Sequence, residues 1–146
     1  MALTGDKIVA MATVGNTQDT SGTTTSTVYT STLTSGTACG VAFVAPPSGI
    51  VLILNNLALY DSVADFSFCS IRVRTGGTVG SGTDVLAVSD IEAVYHKLTT
   101  DMVMSKQRLL TTGLTAGSTY NVQQLFKVAS GTGTFYNKRL VVAPQI

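Results

Sequence analysis

The chain has 146 residues, of which only 12% are charged, and a formal net charge of +1. That length fits one domain with a core of its own. The balance lacks the basic stripe of a nucleic-acid binder, and the apolar run 50-IVLIL-54 falls far short of the roughly 18 residues a membrane helix needs.

Low charge leaves the surface to other residues. Thr and Ser supply about a quarter of the chain, in runs such as 20-TSGTTTSTVYTSTLTSGT-37. Threonine favours strands and glycine punctuates turns. An uncharged surface also favours association, so part of it is expected to be hidden in an assembly.

The start, MALTGDKIVAMATVG, has an early acidic residue and no apolar signal core, so it reads as no secretory signal and places synthesis in a cytoplasm. Ile8, Ala10, Ala12 and Val14 alternate there. The polar stretch 16-NTQDTSGTTTS-26 follows. Residues 1–26 thus read as an extended arm plus flexible linker, either frayed or paired with a neighbouring subunit, since no tight turn gives this strand a local mate.

From residue 27 onward short alternating runs are separated by Gly, Pro and Ser. They predict an all-β domain over 27–146: an antiparallel β-sandwich of about eight strands, of jelly-roll or Ig-like Greek-key type. The predicted strands are 27–34, 38–45, 50–60, 66–74, 84–88, 102–112, 119–129 and 134–143. Cys39 and Cys69 fall in alternating apolar runs and read as buried thiols. With one histidine and no CxxC spacing they make no zinc site.

Ile50, Val51, Leu52, Ile53 and Leu54 are apolar on both faces of their strand, so both faces should be covered. This makes them the candidate subunit interface. Arg72 and Arg74 share the solvent side of the next strand and are candidates for contact with an acidic neighbour, together with Ile8, Ala10 and Ala12 of the arm. They lead into 74-RTGGTVGSGTD-84, which has four glycines in eleven residues. Neither GK[ST] nor GxGxxG spacing occurs there and Asp84 would repel phosphate, so the stretch reads as a connection between strands. In 89-SDIEAVYHKL-98, Ser89 and Glu92 match a capping box and Ile91, Val94, Tyr95 and Leu98 a helical spacing. A short helical turn is favoured there over a mixed strand. Finally Leu114, Gly117 and Tyr120 have the spacing of a tyrosine corner, in which the hydroxyl bonds back to upstream backbone.

Chemistry is sparse. His96 is the one histidine, no GxSxG occurs, and DxDxDG calcium loops are absent. His96 reads as an ordinary, exposed or partly buried side chain. Asp61 and Asp65 flank one turn, where aspartates usually cap backbone NH groups. No catalytic, cofactor-binding or metal-binding set emerges, and the chain is expected not to be an enzyme and to use no cofactor.

The order YxSxL at 29–33, VAFVAPPSG at 41–49, the arginine strand with its GSGT, SD at 89–90, GLTAGSTYNV at 113–122, VASGTGTF at 128–135 and KRLVVAP at 138–144 resembles small β-sandwich virion proteins of tailed bacteriophages, especially those of actinobacterial hosts. Such proteins serve as capsid decoration (cement) proteins, head fibres or minor tail proteins. The resemblance covers about 27–146 and omits the arm. It implies a structural protein of the virion's capsid surface, assembled in the host cytoplasm. It further implies a homotrimer that clamps the major capsid protein, with no nucleic acid, membrane or small-molecule partner. The alternative is a receptor- or carbohydrate-binding module, for which Tyr60, Tyr95 and Tyr136 are the available aromatics.

Overall fold

A computed structural model describes residues 12–146. Among them there is no helix; twelve strands form two antiparallel sheets and one small hairpin, a jelly-roll-like β-sandwich. Sheet A runs in the order β1 (Val14–Gln18), β12 (Gly133–Pro144), β6 (Val51–Asp61) and β10 (Met102–Leu110), with β2 (Gly22–Thr24) also on β12. Sheet B runs β5 (Gly40–Val44), β11 (Thr119–Val128), β7 (Ser67–Thr75) and β8 (Asp84–Leu86), with β9 (Val94–His96) also on β7. The hairpin pairs β3 (Thr32–Leu33) with β4 (Gly36–Thr37).

The long predicted strands lie within two residues of β6, β7, β10, β11 and β12. Three expectations differ. The linker over 16–26 is largely strand: β1 and β2 both hydrogen-bond to β12 and belong to the sandwich. Their backbone pairing with a twelve-residue strand substitutes for the apolar pattern they lack. Gly22 is buried there because its Cα faces Gly36, and a side chain at either would collide with the other. The predicted strand 27–34 reduces to single bridges at Thr30 and Thr34 and the two residues of β3. Segment 89–98 forms no helix. The cap half of the motif exists, with the Glu92 N–H donating to Ser89 Oγ at 3.3 Å, but β7 captures residues 94–96 as a strand. Sheet pairing overrides a helical spacing this short.

Two apolar clusters fill the sandwich. One gathers Phe43, Ile53, Ile71, Val122, Leu140 and neighbours; the other gathers Leu57, Leu59, Cys69, Phe126 and Phe135. A polar belt separates them. Asn55 lies between Ile53 and Leu57 on β6, Gln124 between Val122 and Phe126 on β11, and Lys138 between Phe135 and Leu140 on β12. All three are buried. Gln124 Nε2 donates to Asn55 Oδ1 at 2.7 Å, joining the two sheets. A bulge on β12, with Asn137 at φ 48°, turns Lys138 inward, where its ammonium donates to the carbonyls of Thr20 (2.6 Å) and Phe135 (3.3 Å). Burial holds the Lys138 pKa below its ordinary value.

Cys39 and Cys69 are free, buried thiols, and burial pushes the Cys39 pKa up to about 11. The Tyr120 hydroxyl accepts the Thr115 N–H at 2.8 Å, Leu114 packs against the first cluster, and Gly117 takes φ +78° while donating to the Ala45 carbonyl. Together they fix the 111–118 connection to the start of β11.

Candidate subunit interface

Strand alternation sorts each sheet into an inner and an outer face. The two outer faces differ in kind. On sheet B the outward residues Ser70, Asn121 and Leu125 are nevertheless buried, at 0%, 1% and 4% exposure. The chain itself covers them. Ser89 lies over β7, its carbonyl accepting from Ser70 Oγ at 2.9 Å. The glycine-rich loop 76–83 folds back over the same sheet. Asn121 holds it: its side-chain nitrogen donates to the carbonyls of Gly76 (2.9 Å) and Ser81 (3.1 Å), and its oxygen accepts the Gly80 N–H (3.0 Å). Val79 then sits against Gly40, where no side chain would fit.

The same fold gives the arginines a partner. Arg74 Nε donates to Asp84 Oδ1 at 2.8 Å, and Arg72 Nε lies 3.7 Å from the same oxygen. Arg74 also donates to the Gly80 carbonyl. Both arginines thus have an acidic partner within the chain, Asp84. The bulge between β7 and β8 brings Asp84 opposite Arg74.

A second clasp lies further along sheet B. Lys127 Nζ sits 2.6 Å from Asp90 Oδ1, and the Tyr29 hydroxyl donates to the same carboxylate at 2.9 Å. The Lys127 ammonium, and then the Tyr29 hydroxyl, hold the Asp90 carboxyl below its ordinary 3.8; the Ser130 hydroxyl, and then the Phe66 N–H, do the same for Asp65. A lowered carboxyl pKa contributes stability that is complete above the unfolded value and is lost as pH falls through the folded one. Acid titration of the melting temperature is therefore expected to show a loss beginning below about pH 4. Asp90→Asn should flatten that loss.

Sheet A has no such cover among the described residues. Its outer face carries Leu52, Leu54, Asn56, Ala58 and Tyr60 from β6, and Val141, Ala143 and Arg139 from β12. Strand β10 adds Val103, Ser105, Gln107 and Leu109. Leu109 is 50% exposed and Val103 69% exposed; Leu52, Leu54, Val141 and Ala143 are half-buried. The registers Leu52↔Ala143, Leu52↔Leu109 and Leu54↔Val141 make one continuous apolar patch. Gly15 beside Val141 keeps the patch open toward β1.

The predicted interface residues divide across this sheet. Val51 and Ile53 are core, at 1% and 0% exposure, and cannot meet another subunit. Leu52 and Leu54 point outward, and Ile50 is half-buried before β6, its carbonyl accepting from Gln145 N–H. The strand is apolar on both sides because one side is core and the other is the face left uncovered by the described residues. Ala12 is exposed and outside any strand; Ile8 and Ala10 lie outside the described residues. Sequence reasoning missed Leu109, Val141 and Ala143, which became part of the patch only through pairing with β6. The signal available was the weak outward alternation of 139-RLVVA-143.

The available aromatics fall in two places. Tyr60 and Tyr136 meet edge-on on the outer face of sheet A, ring centres 6.5 Å apart. Tyr95 joins Phe66 and Phe68 beside β7, at 5.6 and 5.8 Å. Lys97 lies over the Phe66 ring at 5.0 Å. His96 is buried and its ring nitrogen bonds the Thr100 carbonyl at 3.0 Å, which replaces the expected exposed or partly buried position. Asp61 and Asp65 accept the N–H groups of Val63 and Phe66 in their turn.

No protein-family model matches the sequence, and no curated protein matches it. The fold is similar to a chain in the crystal structure of the T13 viral particle of infectious bursal disease virus, with a TM-score of 0.59 and 10% identity, over 93% of this chain and 31% of that one. It is also similar to VP2 in a subviral particle of the same virus, with a TM-score of 0.53 and 13% identity, over 92% of this chain and 32% of that one. A third likeness is to Eiger TNF from S. frugiperda, with a TM-score of 0.50 and 8% identity, over 92% and 93% of the two chains. The chain spans about a third of the length of the capsid chains it matches. These likenesses show a jelly-roll-like fold shared with viral capsid chains.

Proposed function

We propose that this chain is a structural virion subunit: a capsid decoration (cement) protein that associates as a homotrimer through the outer face of sheet A and binds the major capsid protein. The uncovered, charge-poor face of sheet A carries the reading. Charged residues are depleted from interface cores, and an interface needs about 800 Å² per partner. Three strands of nine to twelve residues, flanked by the five-residue β1, present roughly 30 Å by 20 Å, whose side-chain surface approaches that size. The fold shared with chains of viral particles supports a shell-associated role. The trimer and the major capsid partner rest on the resemblance of the residue motifs. Stabilisation of the shell would follow from mass action, since a subunit that binds only the assembled state favours it.

Sedimentation velocity tests the reading. The wild type is expected to form trimers at micromolar concentration, and Leu54→Arg to raise the dissociation constant at least about tenfold while leaving the circular dichroism melt intact. A monomeric wild type overturns it. Binding to decoration-free capsids separates the arm from the sandwich: deleting residues 1–11 removes the proposed arm contact without touching β1.

The second reading, a receptor- or carbohydrate-binding module of a head fibre or minor tail protein, is favoured by the ring cluster of Phe66, Phe68 and Tyr95, of which Tyr95 is 52% exposed. Glycan binding lost on Tyr95→Ala, with assembly unchanged, would select it.

A further inference from the structure

The outer face of sheet A carries few charges. Among the described residues of β1, β12, β6 and β10, Arg139 is the one charged side chain directed outward from the strands; the exposed acids Asp19, just after β1, and Asp101, just before β10, flank the sheet. Lys106 and Arg108 of β10 alternate to the inner side, where Lys106 donates to the Ile91 carbonyl and Arg108 lies 3.2 Å from Glu92. Lys138 is turned inward by the bulge. Arg139 is exposed and forms no ion pair among the described residues.

Asp101 sits in a defined place. The register Met102↔Leu59 puts it beside Tyr60, and Tyr60 meets Tyr136 edge-on. Asp101 lies close enough to the Tyr136 hydroxyl to hold that phenol up at about 12. A carboxylate beside a pair of tyrosine rings is a seat for a guanidinium, which takes an ion pair from the one and cation–π attraction from a ring. The chain's own Arg139 does not reach it. Arg139 is level with Asn56, and Asp101 with Tyr60 two strands away. The separation is roughly 13 Å along the strands and roughly 10 Å across them.

We infer that Arg139 of one copy docks on the Asp101, Tyr136 and Tyr60 seat of the next, fixing the orientation in which the sheet A faces associate. The pairing rests on the oligomer reading above and adds its register. The apolar patch around Leu54 supplies affinity without direction; the opposite charges of Arg139 and Asp101, placed apart along the sheet, supply direction. In a closed ring each copy gives one arginine and receives one, so no charge is buried unpaired.

A charge swap tests it. Sedimentation velocity would compare the full-length wild type with Arg139→Asp, Asp101→Arg and the double variant. All four should fold, because both side chains are exposed, and a circular dichroism melt checks this. Each single variant sets like charges against each other and is expected to raise the dissociation constant at least about tenfold. The double variant is expected to return it to within about threefold of wild type, which a merely local effect of either change would not do. Single variants that assemble like the wild type, while Leu54→Arg still dissociates, overturn the pairing and leave the oligomer standing. Loss of capsid binding with unchanged assembly also overturns it, because the arginine's partner is then the shell. A wild type that stays monomeric to roughly 0.1 mM overturns both readings.

Discussion

Replacing Asn121 with alanine is expected to destabilise the protein by about 2–4 kcal/mol and to release loop 76–83 from sheet B. The side chain is 1% exposed and closes four hydrogen bonds: to the carbonyls of Thr75, Gly76 and Ser81 and from the Gly80 N–H. Each bond contributes about 1 kcal/mol net, and backbone groups left without a partner under the loop cost more. The rest of the loop is held at its ends, by Gly76 N–H to the Thr119 carbonyl and by Thr83 to Thr75, and in its middle by the Arg74 bond to Gly80 and the Val79 contact with Gly40. For a chain of this size the melting temperature should fall by roughly 10 °C. Hydrogen exchange should show residues 76–83 losing protection ahead of the core strands. Unchanged protection there would mean that the arginines, and not Asn121, anchor the loop. Asn121→Asp is a sharper probe, since a carboxylate keeps the acceptor for Gly80 but sets a charge against three carbonyls.

The second large effect is at Lys138. Lys138→Ala is expected to cost about 2–4 kcal/mol, because it empties a fully buried volume and strips the Thr20 and Phe135 carbonyls of their donor. Lys138→Met should cost less than about 1.5 kcal/mol. Methionine keeps the volume and removes the cost of burying an ammonium, which offsets the lost hydrogen bonds. Urea denaturation of both variants reads the difference. Equal losses would show that the ammonium itself, and not the filled volume, stabilises the bulge. The belt formed by Asn55, Gln124 and Lys138 splits the core into two clusters, so a methionine that stabilises the chain would also merge them.

The comparison of residues with structure has a consistent physical pattern. Strands whose two faces meet different solvents were legible. β7 and β11 alternate apolar and polar residues because one side of each meets the core, and a period of two needs no partner to be read; β6 was legible as a β-branched apolar run bounded by turn residues. The turns were legible for a local reason too: Gly49 and Gly117 adopt positive φ where the chain reverses, a conformation that glycine takes without strain. Polar strands were not legible. Val14–Gln18 and Gly22–Thr24 are strands only because β12 is long enough to pair with both, and nothing in NTQDTSGTTTS announces that partner. The helical spacing over 89–98 failed for the same reason in reverse, since the edge of β7 was free to take residues 94–96.

For the interface, composition alone indicated that a surface would be hidden, because a chain with 12% charge has too few charged groups to keep itself apart from its neighbours. It also marked 50–54 as a strand with two apolar faces. Which face is core, and which waits for a partner, was decided by tertiary structure. Burial is a property of what lies across the sheet, and Val51 and Leu52 are alike in sequence but opposite in fate. The same holds for the arginines. Local sequence placed Arg72 and Arg74 on the outward side of β7, but only the fold of the loop brought Asp84 to them. The sequence by itself therefore determined a low-charge, two-layered β domain, through short-range alternation and turn chemistry. The choice of faces, the closure of sheet B and the surface that the described residues leave open on sheet A came from long-range pairing, which no local pattern encodes.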